Sequence, residues 1–294
     1  MYTIDSISQL RSHLWQAKLD HKIIAFVPTM GNLHEGHLQL IDRALEEADI
    51  VVASIFVNPL QFGPSEDFNG YPRTFMADQE KLMSHGCHVL FAPTVEEMYP
   101  TTNISSTLVK VPHLDELLCG ASRPGHFTGV ATVVSKLFGI VQPDVAIFGL
   151  KDYQQFLVIK QLTEDLCLPV RIVGAPIARA ESGLALSSRN GYLNPEQLSQ
   201  AAELQQCLIA CRMALEAGET DQLKLEERAR CQLEKAGFRR DYFKICRQSD
   251  LQAASRDDKA LVIVAAAYLG KARLIDNIRF TLFPKDSGTR SYVA

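Results

Sequence analysis

The chain has 294 residues, of which 47% are apolar and 22% are charged, and its formal net charge is −4. This composition is typical of a globular protein with one large domain or two smaller ones. It contains no basic excess to follow a nucleic-acid backbone, no apolar run long enough to cross a bilayer, and a polar N-terminal segment unlike a signal peptide. The seven scattered cysteines, with no CxxC pair, predict free thiols in a reducing cytoplasm.

Apolar runs alternate with amphipathic segments through the first part of the chain. The runs predict strands at 22–27, 49–57, 87–93, 144–149 and 169–176. The intervening segments predict helices at 34–48, 78–86, 129–141 and 153–166. Apolar strands that alternate with helices indicate an α/β fold, a Rossmann-like parallel sheet with helices on both faces. Ligands of such sheets bind beyond the carboxyl ends of the strands.

The pattern changes after Asn194. Amphipathic helices are predicted at 194–218 and 223–237, followed by alternating strands at 241–247, 260–270 and 272–280. We expect a smaller α+β domain here. The predicted division is 1–176 for the Rossmann-like domain and 177–294 for the C-terminal domain, with a hinge near 177–190.

The segment PTMGNLHEGH follows the first predicted strand and contains His34 and His37. A helix that begins near Leu33 places both imidazoles on one face at its N-terminus, where free backbone N–H groups attract anions. This context favours a binding site for a nucleoside triphosphate. A polar surface pair and a metal site are the alternatives, but HEGH is not HExxH and no third ligand is evident.

Three further polar segments follow predicted strands or lie at the hinge. Each also has a simpler interpretation: turn chemistry for the first, a helix N-cap for the second and a solvated linker for the third. The first segment presents the amides of Asn58 and Gln61. The second presents the pair Lys151 and Asp152 together with Gln155. The third presents the hydroxyls of Ser187 and Ser188 together with Arg189.

Other nucleotide and nucleophile signatures do not occur. The sequence has no GxxxxGK[ST], no GxGxxG and no GxSxG, and no Cys/His arrangement indicates a covalent nucleophile.

Taken together, the motifs resemble those of the pantoate–β-alanine ligase family, within the HIGH-motif nucleotidyltransferase superfamily. They are PTMGNLHEGH, SIFVNPLQF, YPRT, GASRPGHFTGV, GLKDYQQ and GLALSSRNGYL. The resemblance covers nearly the whole chain. SSRN takes the place of the KMSKS loop of the related class I aminoacyl-tRNA synthetases.

The resemblance implies a role for each matched position. His37, His34 and Lys151 are implied to be catalytic, with His37 as the proton donor. Gln61 and Gln155 are implied to bind pantoate, and Gln61 also β-alanine. ATP is implied to contact Met30, Gly31, Asn32, Leu33, His34, Glu35, Gly36, His37, Gly149, Leu150, Lys151, Asp152, Ala178, Leu186, Ser187, Ser188 and Arg189.

The implied reaction joins pantoate to β-alanine through a pantoyl adenylate, with ATP as substrate and Mg²⁺ as cofactor. It needs cationic and N–H donors around the phosphates, and a lid to exclude water. The resemblance also implies a homodimer, with small molecules as the other partners. No protein ligand is assigned to a metal, and Asp78 is interpreted as a helix N-cap in preference to a Mg²⁺-side carboxylate.

One departure from the family pattern is Leu150, where a polar residue usually precedes the Lys-Asp pair. Two other functions stay open, and Leu150 bears on the second of them. One is a nucleotidyltransferase that moves AMP onto a phosphate ester, against which the two glutamines argue. The other is a nucleotide-binding protein without catalysis, against which the intact histidines, Lys151 and Arg189 argue.

Overall fold

The computed structural model describes residues 1–63, 68–100 and 107–283. Within these ranges the first sheet has six strands, which are β1 (Tyr2–Ile4), β2 (Ile24–Thr29), β3 (Ile50–Ile55), β4 (Val89–Phe91), β5 (Val145–Gly149) and β6 (Arg171–Ala175). All its neighbouring pairs are parallel, in the order β1-β4-β3-β2-β5-β6. The five predicted strands are confirmed. β1 was not predicted because a three-residue edge strand, with Tyr2 and Thr3 exposed, carries no clear apolar pattern.

Seven helices accompany this sheet in the described ranges. They are α1 (Ile7–Leu19), α2 (Glu35–Glu47), α3 (Phe75–Ser84), α4 (Val95–Met98), α5 (Cys119–Ser122), α6 (His126–Val141) and α7 (Tyr153–Asp165). Successive side chains of a strand point to opposite faces. In β2, Phe26 accordingly packs with α1, α6 and α7, whereas Ala25 and Val27 pack with α2 and α3. The predicted fold class, with helices on both faces, is confirmed.

The C-terminal part is α+β, as predicted. Its elements are α8 (Pro195–Ala201), α9 (Glu203–Ala217), α10 (Gln222–Lys235), β7 (Arg239–Arg247), β8 (Ala260–Leu269) and β9 (Ala272–Thr281). The three strands form an antiparallel sheet in the order β7-β8-β9. The single helix expected over 194–218 is wrong in detail, because α8 and α9 meet at Ala202. Ala202 keeps helical backbone angles, so the amphipathic pattern continues across the break.

The C-terminal sheet contributes to two hydrophobic cores. Leu261 and Ile263 of β8 pack with the C-terminal helices, whereas Val262 and Val264 join the core of the first sheet. Through this alternation, one face of the C-terminal sheet packs on the C-terminal helices and the other packs against the part of the chain that contains the parallel sheet. As a result, strand β9 lies beside the carboxyl ends of the parallel strands, where the candidate site is found. The exact division at residue 176 stays a prediction.

None of the helices in the described part of the chain has the length and apolarity needed to span a membrane.

Candidate active site

A cleft of about 210 Å³ lies where β2, β5 and β6 end. Most of the side chains predicted from the sequence meet there, from segments far apart in the chain. The predicted residues that line it are Met30, His34, Gly36, His37, Gln61, Gly149, Lys151, Asp152, Gln155, Ala178, Leu186, Ser187, Ser188 and Arg189.

Five predicted ATP contacts do not line this cleft: Gly31, Asn32, Leu33, Glu35 and Leu150. Leu33 and Leu150 are core side chains, and Glu35 is exposed on the first turn of α2. The predicted contact segments are therefore present, but not every residue in them turns toward the cleft.

His34 and His37 form a contacting pair at the start of α2, with ring centroids 4.1 Å apart and ring planes tilted by 33°. His34 is the N-cap, and its Nδ1 accepts the N–H of Gly36 at 3.1 Å. The Nδ1 of His37 accepts the N–H of His34 at 3.3 Å. The two rings thus make a reciprocal capping box, a role usually taken by Ser or Thr with Glu.

The capping bonds fix the tautomer of both rings. Because each Nδ1 accepts a backbone N–H, the proton of each neutral ring lies on Nε2. Burial lowers the pKa of His34 to about 4 and the pKa of His37 to about 3, and the nearby Lys151 charge adds to both shifts. At neutral pH the pair therefore offers two uncharged N–H donors.

Most backbone N–H groups at this helix start already have acceptors within the chain. The Gly36 N–H is used by the His34 ring, and the N–H groups of His37 and Leu38 bond the carbonyl of His34. An anion at this end of α2 would therefore meet the imidazole Nε2–H groups.

Because the pKa values of both histidines are lowered in the folded state, the free energy of unfolding falls as the pH becomes acidic. The unfolded chain binds protons at histidine below a pH of about 6.5, whereas the folded pair stays neutral down to a pH of about 4. We expect the free energy of unfolding to be level above pH 7 and to fall steadily between pH 6.5 and pH 4. Urea unfolding at several pH values measures this. The His37→Asn variant, which cannot titrate, should show a shallower fall, and identical profiles would contradict the assignment.

Asp78 holds the loop that leads from β2 to the histidines. Its carboxylate is fully buried and accepts the N–H groups of Asn32 at 2.8 Å and Leu33 at 2.7 Å. Gly31 and Asn32 both have left-handed backbone angles, which this pair of bonds stabilises. The predicted N-cap role is wrong, because Thr74 is the N-cap of α3 and Asp78 lies in the first turn. Sequence reasoning could not find this role, since the partners are more than 40 residues away.

Asp78→Ala should destabilise the protein by about 2–4 kcal/mol, because it leaves two N–H groups in the interior without their acceptor. Asp78→Asn, which keeps one acceptor oxygen, should lose about half as much. Chemical unfolding measures both, with Glu80→Ala on the exposed face of the same helix as the control. Equal stability of the Asp78→Ala and Glu80→Ala variants would contradict this account.

Lys151 and Asp152 lie in a single 3-10 turn, Leu150–Asp152, between β5 and α7. The Nζ of Lys151 is 3.8 Å from a carboxylate oxygen of Asp152, and the lysine side chain is only 18% exposed. Asp152 occupies the N-cap position of α7 but makes no side-chain capping bond. Its carboxylate therefore faces the cleft, and the capping interpretation is not supported.

The leucine at position 150 points away from the cleft. Its side chain is 5% exposed and packs in the main core. A methyl group added at Gly174 would lie 2.6 Å from Leu150 Cδ2, so the leucine fills the space that this glycine leaves. Position 150 therefore belongs to the core behind the turn, while Lys151 lines the cleft.

The SSRN segment faces the histidine loop. A short hairpin brings it there, in which the Leu186 N–H bonds the carbonyl of Ala178 at 2.9 Å. The Ser187 hydroxyl accepts the N–H of Arg189, and the Ser188 hydroxyl donates to the carbonyl of Asn32 at 3.3 Å. Ser188 is also hydrogen-bonded to Tyr71, whose pKa is raised by burial. Tyr71 lines the cleft, and although YPRT was noted as a motif, no role was predicted for it.

Gln61 is positioned by its neighbours at the inner end of the cleft. It is 7% exposed, and its amide contacts Met30 Sδ and the amide of Asn58. Asn58 itself is buried, caps the turn Pro59–Gln61 and does not line the cleft. The turn interpretation therefore holds for Asn58, while Gln61 and Gln155 both line the cleft.

A second cavity of about 700 Å³ adjoins the cleft and reaches the C-terminal sheet. Lys151, Asp152, Gln155, Ser187 and Arg189 line both spaces. Its other walls include polar residues to which the sequence assigned no role, which are Arg123, His126, Tyr242, Arg273, Asp276 and Asn277. Within residues 1–63, 68–100 and 107–283, no cluster of three or more His, Cys, Asp or Glu side chains could hold a metal ion.

The sequence model of the family described as pantoate-beta-alanine ligase matches residues 2–279. The chain belongs to the pantoate–β-alanine ligase family. The resemblance inferred from the motifs is thereby confirmed. Among relatives in this ligase family, the pantothenate synthetase of Pseudomonas entomophila is 56% identical over 95% of this chain and 97% of its own length. That of Azotobacter vinelandii is 55% identical over 95% and 98%.

Solved structures of ligase family members have the same fold. Pantothenate synthetase from Thermus thermophilus superposes with a TM-score of 0.88 at 45% identity, over 95% of this chain and 99% of that one. The pantoate-beta-alanine ligase from Francisella tularensis, complexed with beta-gamma ATP and beta-alanine, gives a TM-score of 0.80 at 35% identity, over 95% and 97%. The family agreement therefore covers both the parallel sheet and the C-terminal part.

Proposed function

We propose that this chain condenses pantoate with β-alanine, using ATP, through a pantoyl adenylate formed in the cleft. The observation that carries the proposal is the meeting of two kinds of group in one cleft. His34, His37, Lys151 and the SSRN segment suit a triphosphate, and two glutamine amides adjoin them. The Francisella tularensis relative, whose structure contains a beta-gamma ATP ligand and beta-alanine, supports the same pairing of substrates.

In the first step, a carboxylate oxygen of pantoate attacks the α-phosphorus of ATP. The bond from that phosphorus to the pyrophosphate oxygen breaks, and pyrophosphate leaves with the electron pair. Negative charge therefore grows on the leaving phosphates, so donors aimed there stabilise the transition state. The Nε2–H groups of the two histidines and the charges of Lys151 and Arg189 are the groups that we assign to this task.

In the second step, the amine of β-alanine attacks the acyl carbon of the adenylate. The C–O bond to AMP breaks, and the amine loses its proton as the amide forms. No nucleophile of the enzyme is needed for either step. Gln61 and Gln155 are proposed to hold the pantoyl group between the steps through their amide groups.

Mg²⁺ is proposed to enter with ATP. Such an ion is commonly held by substrate phosphates, water and one or two carboxylates. Asp152 lines the cleft beside Lys151 and makes no capping bond, so its carboxylate fits this use. When bound, the ion would neutralise phosphate charge.

The C-terminal part is proposed to act as a lid, with residues 1–176 forming the ATP and pantoate domain and 177–294 the lid. Support comes from the Ser188 bond to Asn32, which joins the segment after the division to the histidine loop. A covered cleft would protect the adenylate from water. We also propose a homodimer and a cytoplasmic location, for which light scattering and cell fractionation are the direct measurements.

The test is AMP release from ATP and Mg²⁺ with pantoate whose carboxylate carries ¹⁸O, together with β-alanine. We expect sustained AMP release only when both acceptors are present, with one ¹⁸O in each AMP. AMP without the label would contradict the adenylate. Bound ATP with no AMP would favour a nucleotide-binding protein, and pyrophosphate release driven by a phosphate ester would favour the nucleotidyltransferase.

A further inference from the structure

Strand β9 of the C-terminal sheet contacts the turn that carries Lys151. The side-chain amide of Asn277 is buried, and its Nδ2 donates to the carbonyl of Leu150 at 2.8 Å and to that of Lys151 at 3.0 Å. Both protons of the amide are therefore used on consecutive carbonyls of one turn. These contacts join residues more than 120 positions apart in the sequence.

Asn277 is itself held in place. Its backbone is paired with Val264 of β8, and its N–H donates to the carboxylate of Asp276 at 2.7 Å. That carboxylate accepts two hydrogen bonds from Arg179, at 2.7 and 2.9 Å. Arg179 also donates to the carbonyl of Gly183, inside the hairpin that presents the SSRN segment. Adjacent residues of β9 thus reach two of the segments that line the cleft.

We propose that Asn277 is a positioning residue for Lys151. A lysine side chain has four rotatable bonds, so the direction in which it leaves the backbone decides where its ammonium group can reach. By holding the carbonyls on either side of the Lys151 Cα, Asn277 sets that direction. The inference rests on the proposed phosphate role of Lys151. A purely structural role, the satisfaction of two buried carbonyls, is the competing explanation.

A double-mutant cycle with Lys151→Met separates the two explanations. Asn277→Ala alone should lower kcat/KM for ATP by about ten-fold, with a smaller change in KM for β-alanine. In the Lys151→Met background, the same substitution should cost less than about two-fold, because the ammonium group to be positioned is already gone. Leu274→Ala, in the same strand and buried in the C-terminal core, is the control for general loosening and should keep kcat/KM.

Each outcome decides the matter. If Asn277→Ala lowers kcat/KM equally in both backgrounds, the positioning role is overturned but the proposed function is not. An unchanged kcat/KM in the single Asn277→Ala variant would have the same meaning. An unchanged kcat/KM for Lys151→Met would overturn the proposed role of Lys151 and the inference with it. Asn277→Ser keeps a short donor and serves if the alanine variant does not fold, which thermal unfolding reports. We expect it to lose less than about ten-fold, and its losses are compared in the same two backgrounds.

Discussion

His37→Ala should lower kcat for AMP release by about 10²–10³-fold, the usual cost of removing one donor aimed at a developing oxyanion. The expected size follows from the site: the ring is half-buried, neutral and fixed by the His34 N–H, so its Nε2–H is oriented before ATP arrives. Stability should fall much less, by about 1 kcal/mol, since one capping bond is lost.

Initial rates at saturating ATP and chemical unfolding measure the two effects separately. His13→Ala, which removes an exposed histidine on α1, is the matched control and should change neither. His37→Gln carries an amide N–H near the former Nε2 position and should recover part of the rate. Unchanged turnover in His37→Ala would remove the histidine from the proposed mechanism.

Lys151→Met should reduce kcat/KM for ATP by about 10²–10³-fold, because a charge that meets the phosphates is replaced by an apolar chain of similar length. The side chain is mostly enclosed, so solvent screens its charge weakly and the effect should be large. Because the charge matters most as pyrophosphate leaves, kcat should fall along with the affinity for ATP.

The matched control is Lys160→Met, which removes an exposed lysine on α7, nine positions along the chain. Steady-state kinetics with ATP varied at saturating pantoate and β-alanine compare the two variants. If both keep the parent kcat/KM, Lys151 has no role at the phosphates. Wild-type-like kcat with only a raised KM would limit Lys151 to binding ATP.

The sequence predicted the parallel sheet because its central strands are apolar on both faces and separated by helices. It also indicated where the candidate site would lie, since the ends of parallel strands meet at one edge and the polar motifs follow β2, β3, β5 and β6. These are local signals. The helix over 194–218 shows the corresponding weakness, because an unbroken amphipathic pattern cannot reveal the join at Ala202.

The supporting residues of the site could not be predicted in the same way. Asp78 and Asn277 act on backbone groups of distant segments, and their own neighbours in sequence carry no trace of those partners. The sequence identified the histidine pair, but it did not reveal the hydrogen bonds or the charge state of the two rings. Only the geometry reveals that each Nδ1 is occupied by a backbone N–H and that the pair is neutral.

The packing of Leu150 over Gly174 has a consequence for exchanging parts between family members. The two positions share one volume, so the size allowed at one depends on the residue at the other. Gly174→Ala should be tolerated only when the residue at position 150 is smaller than leucine. A smaller residue at position 150 should in turn be compensated by alanine at position 174. A chimera that transfers the Lys151 turn without β6 would therefore inherit a mismatch, although every residue that lines the cleft had been preserved.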